Sequence, residues 1–155
     1  MDDLDRLAAK NIVDLLRTWS SKDKTELESA QQGLSQTRFK PYEAGLKVLG
    51  KYAGANESYD AGGAQAAPDA TWIFGDALWV CWEAKSGASA GTTIATGKVR
   101  EANGHLRYVE ARRGAKAPTG SFTCYATPQT TIDHSAKAVC EETIFHVPVH
   151  TPSDL

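Results

Sequence analysis

Cysteine is scarce in this chain. Three occur in 155 residues, Cys81, Cys124 and Cys140, and no two form a Cys-x-x-Cys pair. An odd number of widely spaced cysteines argues against a disulfide framework and for a reducing, cytoplasmic setting. The missing pair argues against a structural zinc or an iron–sulfur cluster. His146 and His150 stand four apart. Without further ligands, that spacing favours surface or core histidines over a metal site. No apolar run approaches the ~18 residues of a membrane span, so none is expected. The opening MDDLDRLAAK is acidic and amphipathic, whereas a secretory signal needs a basic start and an apolar stretch. There is no phosphate-cradling G-x-x-x-x-G-K-[ST], no methyltransferase motif, no internal repeat and no low-complexity tract.

What remains is the composition of an ordinary globular protein, 41% hydrophobic and 23% charged. The length suits one domain with a sizeable core. The net charge of −2 does not advertise nucleic-acid binding, but its distribution is uneven. Residues 38–54 carry +3 and residues 98–117 carry +4, and between them residues 55–97 carry −4. Two basic stretches around an acidic one fit a protein that binds phosphate near a carboxylate cluster. Solvated helix faces give the same pattern.

Leu4, Leu7, Ala8, Ile12, Leu15, Leu16 and Trp19 form one helical stripe over 3–19. Thr25-x-x-Glu28 resembles a capping box opening a short helix to about Ser35. Pro41 fits the first turn of another helix, which Gly54 ends. Residues 55–67 read as a loop with one short strand near Glu57–Asp60. Runs 70–74 and 78–84 are β-rich and flank Gly75-Asp76, a hairpin signal. A single helix is expected over 92–112, with Ala95, Val99, Ala102, Leu106 and Val109 buried. A basic loop, a strand over 122–126, a helix over 134–142 and a strand over 143–149 follow. The sum is an α/β domain, one central sheet flanked by helices.

The hairpin carries an unusual load. Side chains alternate along a strand, so Trp79, Cys81, Glu83 and Lys85 share one side, opposite Leu78, Val80, Trp82 and Ala84. The Cα atoms of Glu83 and Lys85 are then about 7 Å apart. A two-residue loop would turn Asp69 away from Glu83. A three-residue loop, Gly75–Ala77, would place Asp69 directly opposite it. Opposed carboxylates repel unless one is protonated, they splay, or a cation sits between them. Two carboxylates and a backbone carbonyl suit Mg²⁺, and a neighbouring lysine suits a phosphate or an attacking water. The residues alone leave that reading level with a merely solvated hairpin. Trp72 and Trp79 are either opposed or offset by one, and tryptophans in a central strand are more often core than base-stacking.

Pro68-Asp69, thirteen residues, then Glu83-Ala84-Lys85 resembles the PD-(D/E)xK motif of the restriction-endonuclease-like nucleases. The similarity spans roughly residues 39–126 and includes Glu43 on the preceding helix, where many members carry an acid. The resemblance implies a restriction-endonuclease-like α/β core over 38–155, with residues 1–37 as an added helical extension. It implies Asp69, Glu83 and the Ala84 carbonyl as ligands of Mg²⁺ (or Mn²⁺), Glu43 as an outer or second-metal ligand, and Lys85 as the catalytic lysine. The Gln-x-x-x-Tyr of some exonuclease-like branches is absent from KVREANGHLRYVEARR. The implied activity is metal-dependent endonucleolytic cleavage, with DNA favoured over RNA. Junction resolution or RNA cleavage on the same fold, or a non-catalytic nucleic-acid-binding or docking module, are the alternatives. Lys98, Arg100, Arg107, Arg112, Arg113 and Lys116 are the expected phosphate contacts. His105 is expected to pack within its helix rather than point to the site. The chain has no obvious specificity domain. A homodimer, a larger parent protein or a targeting partner is therefore expected, in a setting such as phage defence or DNA processing.

Overall fold

The computed structural model describes residues 3–60 and 66–149. Three helices come first, α1 (Asp3–Arg17), α2 (Ser21–Leu34) and α3 (Phe39–Tyr52). Then come β1 (Glu57–Tyr59), β2 (Ala70–Phe74), β3 (Leu78–Ala84) and β4 (Thr93–Ile94). The remainder is α4 (Thr96–Asn103), α5 (His105–Arg113), β5 (Phe122–Thr127), β6 (Thr131–Ile132), α6 (His134–Val139) and β7 (Ile144–Pro148). Five strands form one mixed sheet in the order β1-β2-β3-β5-β7. The first three are antiparallel, and β3, β5 and β7 run parallel. β4 and β6 make a separate two-stranded parallel ladder. None of the described helices is long and apolar enough to cross a membrane.

Alternation along β2 and β3 splits the core in two. Trp72, Phe74, Val80 and Ala84 face α3, where Tyr42 and Leu46 meet them, and α1 adds Leu4, Leu7 and Ala8. Ile73, Trp79 and Cys81 face α5 through Val109 and Leu106. Tyr125 of β5 packs on Val99, Ala102 and Ala136 from α4 and α6. Every residue of β2 is buried, as suits a strand covered on both sides. The hairpin takes the three-residue connection: Phe74 pairs with Leu78, and Ala70 with Trp82. Gly75 permits it by taking φ +52, which a residue with a Cβ resists. Trp72 and Trp79 are therefore offset by one and face opposite ways, while Trp72 packs against Trp82 at 4.7 Å between ring centroids.

The N-terminal helices are bound to the rest by small residues and a polar clasp. A Cβ on Gly33 would collide with the Pro41 carbonyl, so α2 and α3 approach closely only because it is absent. Across the same seam Lys51 bonds Glu26 at 2.6 Å and Asp23 at 3.2 Å, and the Tyr52 hydroxyl bonds Glu26 at 2.9 Å. In α1, Asn11 donates to the Gly54 carbonyl at 2.8 Å.

Several expectations of local structure are corrected. The box opening α2 is Ser20 with Asp23, not Thr25 with Glu28. Thr25 is already helical, its hydroxyl donating back to the Ser21 carbonyl. The expected 92–112 helix begins later, because Thr93 and Ile94 pair with β6, and it divides at Gly104. Ala95 is consequently exposed and Ile94 is buried in its place. The last helix stops at Val139 instead of residue 142. Asn103 holds that end, donating to the Val139 carbonyl at 2.7 Å and accepting from the Glu141 N–H.

Candidate active site

The open end of the β2–β3 hairpin gathers the acidic residues. Pro68 is buried and has no N–H to satisfy, so the ladder begins one residue on. There Asp69 donates its N–H to the Trp82 carbonyl at 2.8 Å, and its Oδ2 accepts the Ala84 N–H at 2.6 Å. One backbone contact sets the main chain and the other pins the carboxylate. Glu83 stands on the face of β3 that carries Trp79 and Cys81, and only 2% of it is exposed. Lys85 follows the end of β3, with its N–H on the Ala126 carbonyl at 2.7 Å.

Glu83 is held from two sides. Its Oε2 lies 2.7 Å from His105 Nε2, and its Oε1 faces the Lys85 ammonium in an ion pair. Oε1 is buried without a hydrogen bond of good geometry, so the ammonium's charge is what compensates it. His105 is fully buried, with Nδ1 3.3 Å from the Ala66 carbonyl. A carboxylate can only accept, so Nε2 carries the proton in the Glu83 contact. The expectation that His105 merely packs in its helix is thus corrected: it is packed, and against Glu83. Its position follows from the division at Gly104, which sets the start of α5 over β3. Tyr125, directly beside Glu83 in the parallel pairing, is a second neighbour that sequence reasoning missed. Alternation on the 122–126 strand marks its face, but the strand's partner is a tertiary fact.

Glu43 projects from α3 toward the same place. Burial pushes its carboxyl above the usual range, and the charge of Asp69 adds to this. Burial likewise raises Asp69, opposed by the Ala84 N–H and reinforced by Glu83. Burial also acts to raise Glu83, but its His105 and Lys85 contacts outweigh it and hold the carboxyl low. Burial acts to lower Lys85, and Glu83 reverses that into a rise. Three carboxylates therefore share one lysine. Beside them an open cleft of about 510 Å³ is lined by Phe39, Glu43, Lys85, Lys98, Tyr125 and Gln129, among others.

Hard carboxylate oxygens with an excess of negative charge fit a divalent cation such as Mg²⁺ in chemistry. The arrangement is not that of a ready cage. No group of three or more His, Cys, Asp or Glu among the described residues is placed to hold a metal ion. Both Glu83 oxygens already face a donor, the Lys85 ammonium and the His105 N–H. A cation would be held by Asp69, Glu43 and the Ala84 carbonyl, and by Glu83 once Lys85 leaves it.

The six expected phosphate contacts do not form one surface. Lys98 borders the cleft and pairs with Glu101 at 2.7 Å. Arg100 is exposed on α4. Arg107 pairs with Glu141 at 2.9 Å. Arg113 makes a two-pronged contact with Glu57 and lies over Trp79, and Arg112 lies over Tyr59. Lys116 pairs with Glu110. Arg113 thus sits toward the turn end of the hairpin, away from Asp69 and Glu83, and Arg112 lies over the edge strand β1. Helix α5 carries the chain from one end of the sheet to the other. His146 is exposed on β7, and His150 lies outside the described residues.

No protein-family model matches the chain, and neither a curated protein nor a solved structure does.

Proposed function

We propose that the chain is a metal-dependent nuclease of restriction-endonuclease-like fold that hydrolyses phosphodiester bonds, with DNA the favoured substrate. One observation carries this reading. Glu43, Asp69 and Glu83 converge with Lys85 beside an open cleft, and burial with mutual repulsion raises two of the carboxyls. A structural ion-pair cluster would balance its charges, whereas this one is short of positive charge. Bound Mg²⁺ would supply that charge, screening the phosphate and easing ionisation of water. The protein's own part is positional. Asp69 is fixed by the Ala84 N–H, and Glu83 is fixed by His105. Lys85, released from Glu83, is placed to orient the attacking water and to oppose charge building on the phosphate oxygens.

The test is cleavage of supercoiled plasmid, linear duplex, single-stranded DNA and RNA with Mg²⁺, Mn²⁺ or EDTA. Cutting should require metal and fall at least 100-fold in Asp69→Asn and Lys85→Ala, with circular dichroism unchanged. Undiminished cleavage by both folded variants would refute the assignment. The substrate preferred separates a DNA nuclease from a junction resolvase or ribonuclease. A second reading, a non-catalytic binding module, is favoured by the engagement of both Glu83 oxygens. It predicts nucleic-acid binding that EDTA leaves unaltered, and no cutting under any condition.

A further inference from the structure

Phe39 is an apolar ring left largely in solvent at the edge of the cleft. It starts the apolar stripe of α3 that continues through Tyr42 and Leu46, which are 6% and 2% exposed. Phe39 itself is 62% exposed, the largest value among the large hydrophobics of the described residues. Beneath Tyr42 and Leu46 lies the sheet, and beneath Phe39 lies the cleft. The ring is one helical turn before Glu43, so it stands over the carboxylate end of the site. Arg38 and Lys40 flank it. Both are exposed, and neither has an ion-pair partner among the described residues. That sets them apart from Lys98, Arg107, Arg113 and Lys116, all of which are engaged within the chain.

We propose that this rim binds an unpaired nucleobase: Phe39 stacks on the base, while Arg38 and Lys40 meet the phosphates of the same strand. The substrate class is then single-stranded nucleic acid, or a single-stranded segment at a duplex junction. Each part has its physical ground. An aromatic ring beside free cations is the combination that holds single strands, because every base has a π-face and every linkage a charge. In an intact duplex the base faces are already stacked, so Phe39 has nothing to cover there. The cleft lies in the size range of small-ligand sites, about 300–1,000 Å³, suiting one nucleotide rather than a double helix. The inference rests on the proposed nucleic-acid function but not on hydrolysis.

The experiment measures binding of the whole chain in EDTA, where cutting is suppressed. Fluorescence anisotropy compares a labelled oligo-dT with an abasic oligomer of equal phosphate number and with a blunt duplex. Oligo-dT should bind about 5- to 150-fold tighter than the abasic strand, the range expected for stacking one base. Phe39→Ala should erase that ratio, and Phe39→Trp should preserve it. Arg38→Gln with Lys40→Gln should weaken both single strands alike and flatten the salt dependence. Equal affinity for the base-bearing and abasic strands would overturn the proposal. So would an unchanged ratio in Phe39→Ala, or no binding to any strand. A chain that never cuts, yet keeps a Phe39-dependent preference for bases, would refute the nuclease reading alone and leave this one standing.

Discussion

The Glu83–Lys85 pair sets up an asymmetric response to mutation. Glu83 is 2% exposed at its side chain and Lys85 is 29% exposed. Lys85→Met keeps the length and apolar stem of the side chain but leaves the buried Oε1 with no opposing charge. Removing one partner of a buried pair costs about 3–5 kcal/mol, and the partial exposure of Lys85 places this case near 3 kcal/mol. Glu83→Gln is milder. Its amide oxygen still accepts from His105, and the freed ammonium can turn to solvent, so about 1–2 kcal/mol should be lost. The double variant carries no uncompensated charge and should stand within about 1 kcal/mol of wild type. It should therefore be more stable than Lys85→Met alone, which is the signature of coupling. Urea denaturation at pH 7 in EDTA, followed by tryptophan fluorescence, reads this directly. For slopes of about 1–3 kcal/mol/M, Lys85→Met should lower the midpoint by about 1–3 M. If Lys85→Met lies within about 0.5 kcal/mol of wild type, or the two losses simply add, the pair is not the buried charge contact described.

Two further outcomes follow from the site and its supports. Glu43→Gln should be more stable than wild type at pH 7, because the fold disfavours the ionised carboxyl. That advantage should shrink as pH falls from neutrality and vanish below about 4.5, where the wild-type carboxyl is protonated in both states; a constant difference across thermal melts would contradict the raised carboxyl. Gly33→Ala ought to gain helix propensity, about 1 kcal/mol. Instead it should lose about 1–3 kcal/mol net from the clash with the Pro41 carbonyl, visible as a lowered Tm; a raised Tm would mean that α2 and α3 are not so close.

The hairpin was the most legible part of the molecule. Its strands are bounded by a glycine and a proline, their runs are β-rich, and the turn sets the register locally, although its length was open between two and three residues until the structure showed three. Glu83 and Lys85 share a face for the same local reason, and the opposed position of Asp69 follows from the turn. The first helix was legible from its stripe. Capping was less so, because Ser20-x-x-Asp23 and Thr25-x-x-Glu28 carry the same signal, and the contacts of Asp23 with Lys51 and Tyr52 favour the earlier one. The 92–112 segment misled because Thr93 and Ile94 are compatible with helix, yet they meet β6 only in the folded chain.

Sequence by itself determined the α/β class, the two core strands and the placing of Asp69 and Glu83 at their open end. Each of these depends on contacts between near neighbours, where periodicity, turn chemistry and side-chain alternation suffice. Tertiary structure decided which partners those carboxylates keep. His105 lies 22 residues beyond Glu83 and reaches it only because α5 crosses β3. Tyr125 becomes a neighbour only because β5 runs parallel to β3. The basic residues looked like one patch in the chain, but a helix spans the sheet end to end, so their charges are spent at different places. Distance along the chain says nothing of such meetings, because they are selected by the packing of whole elements.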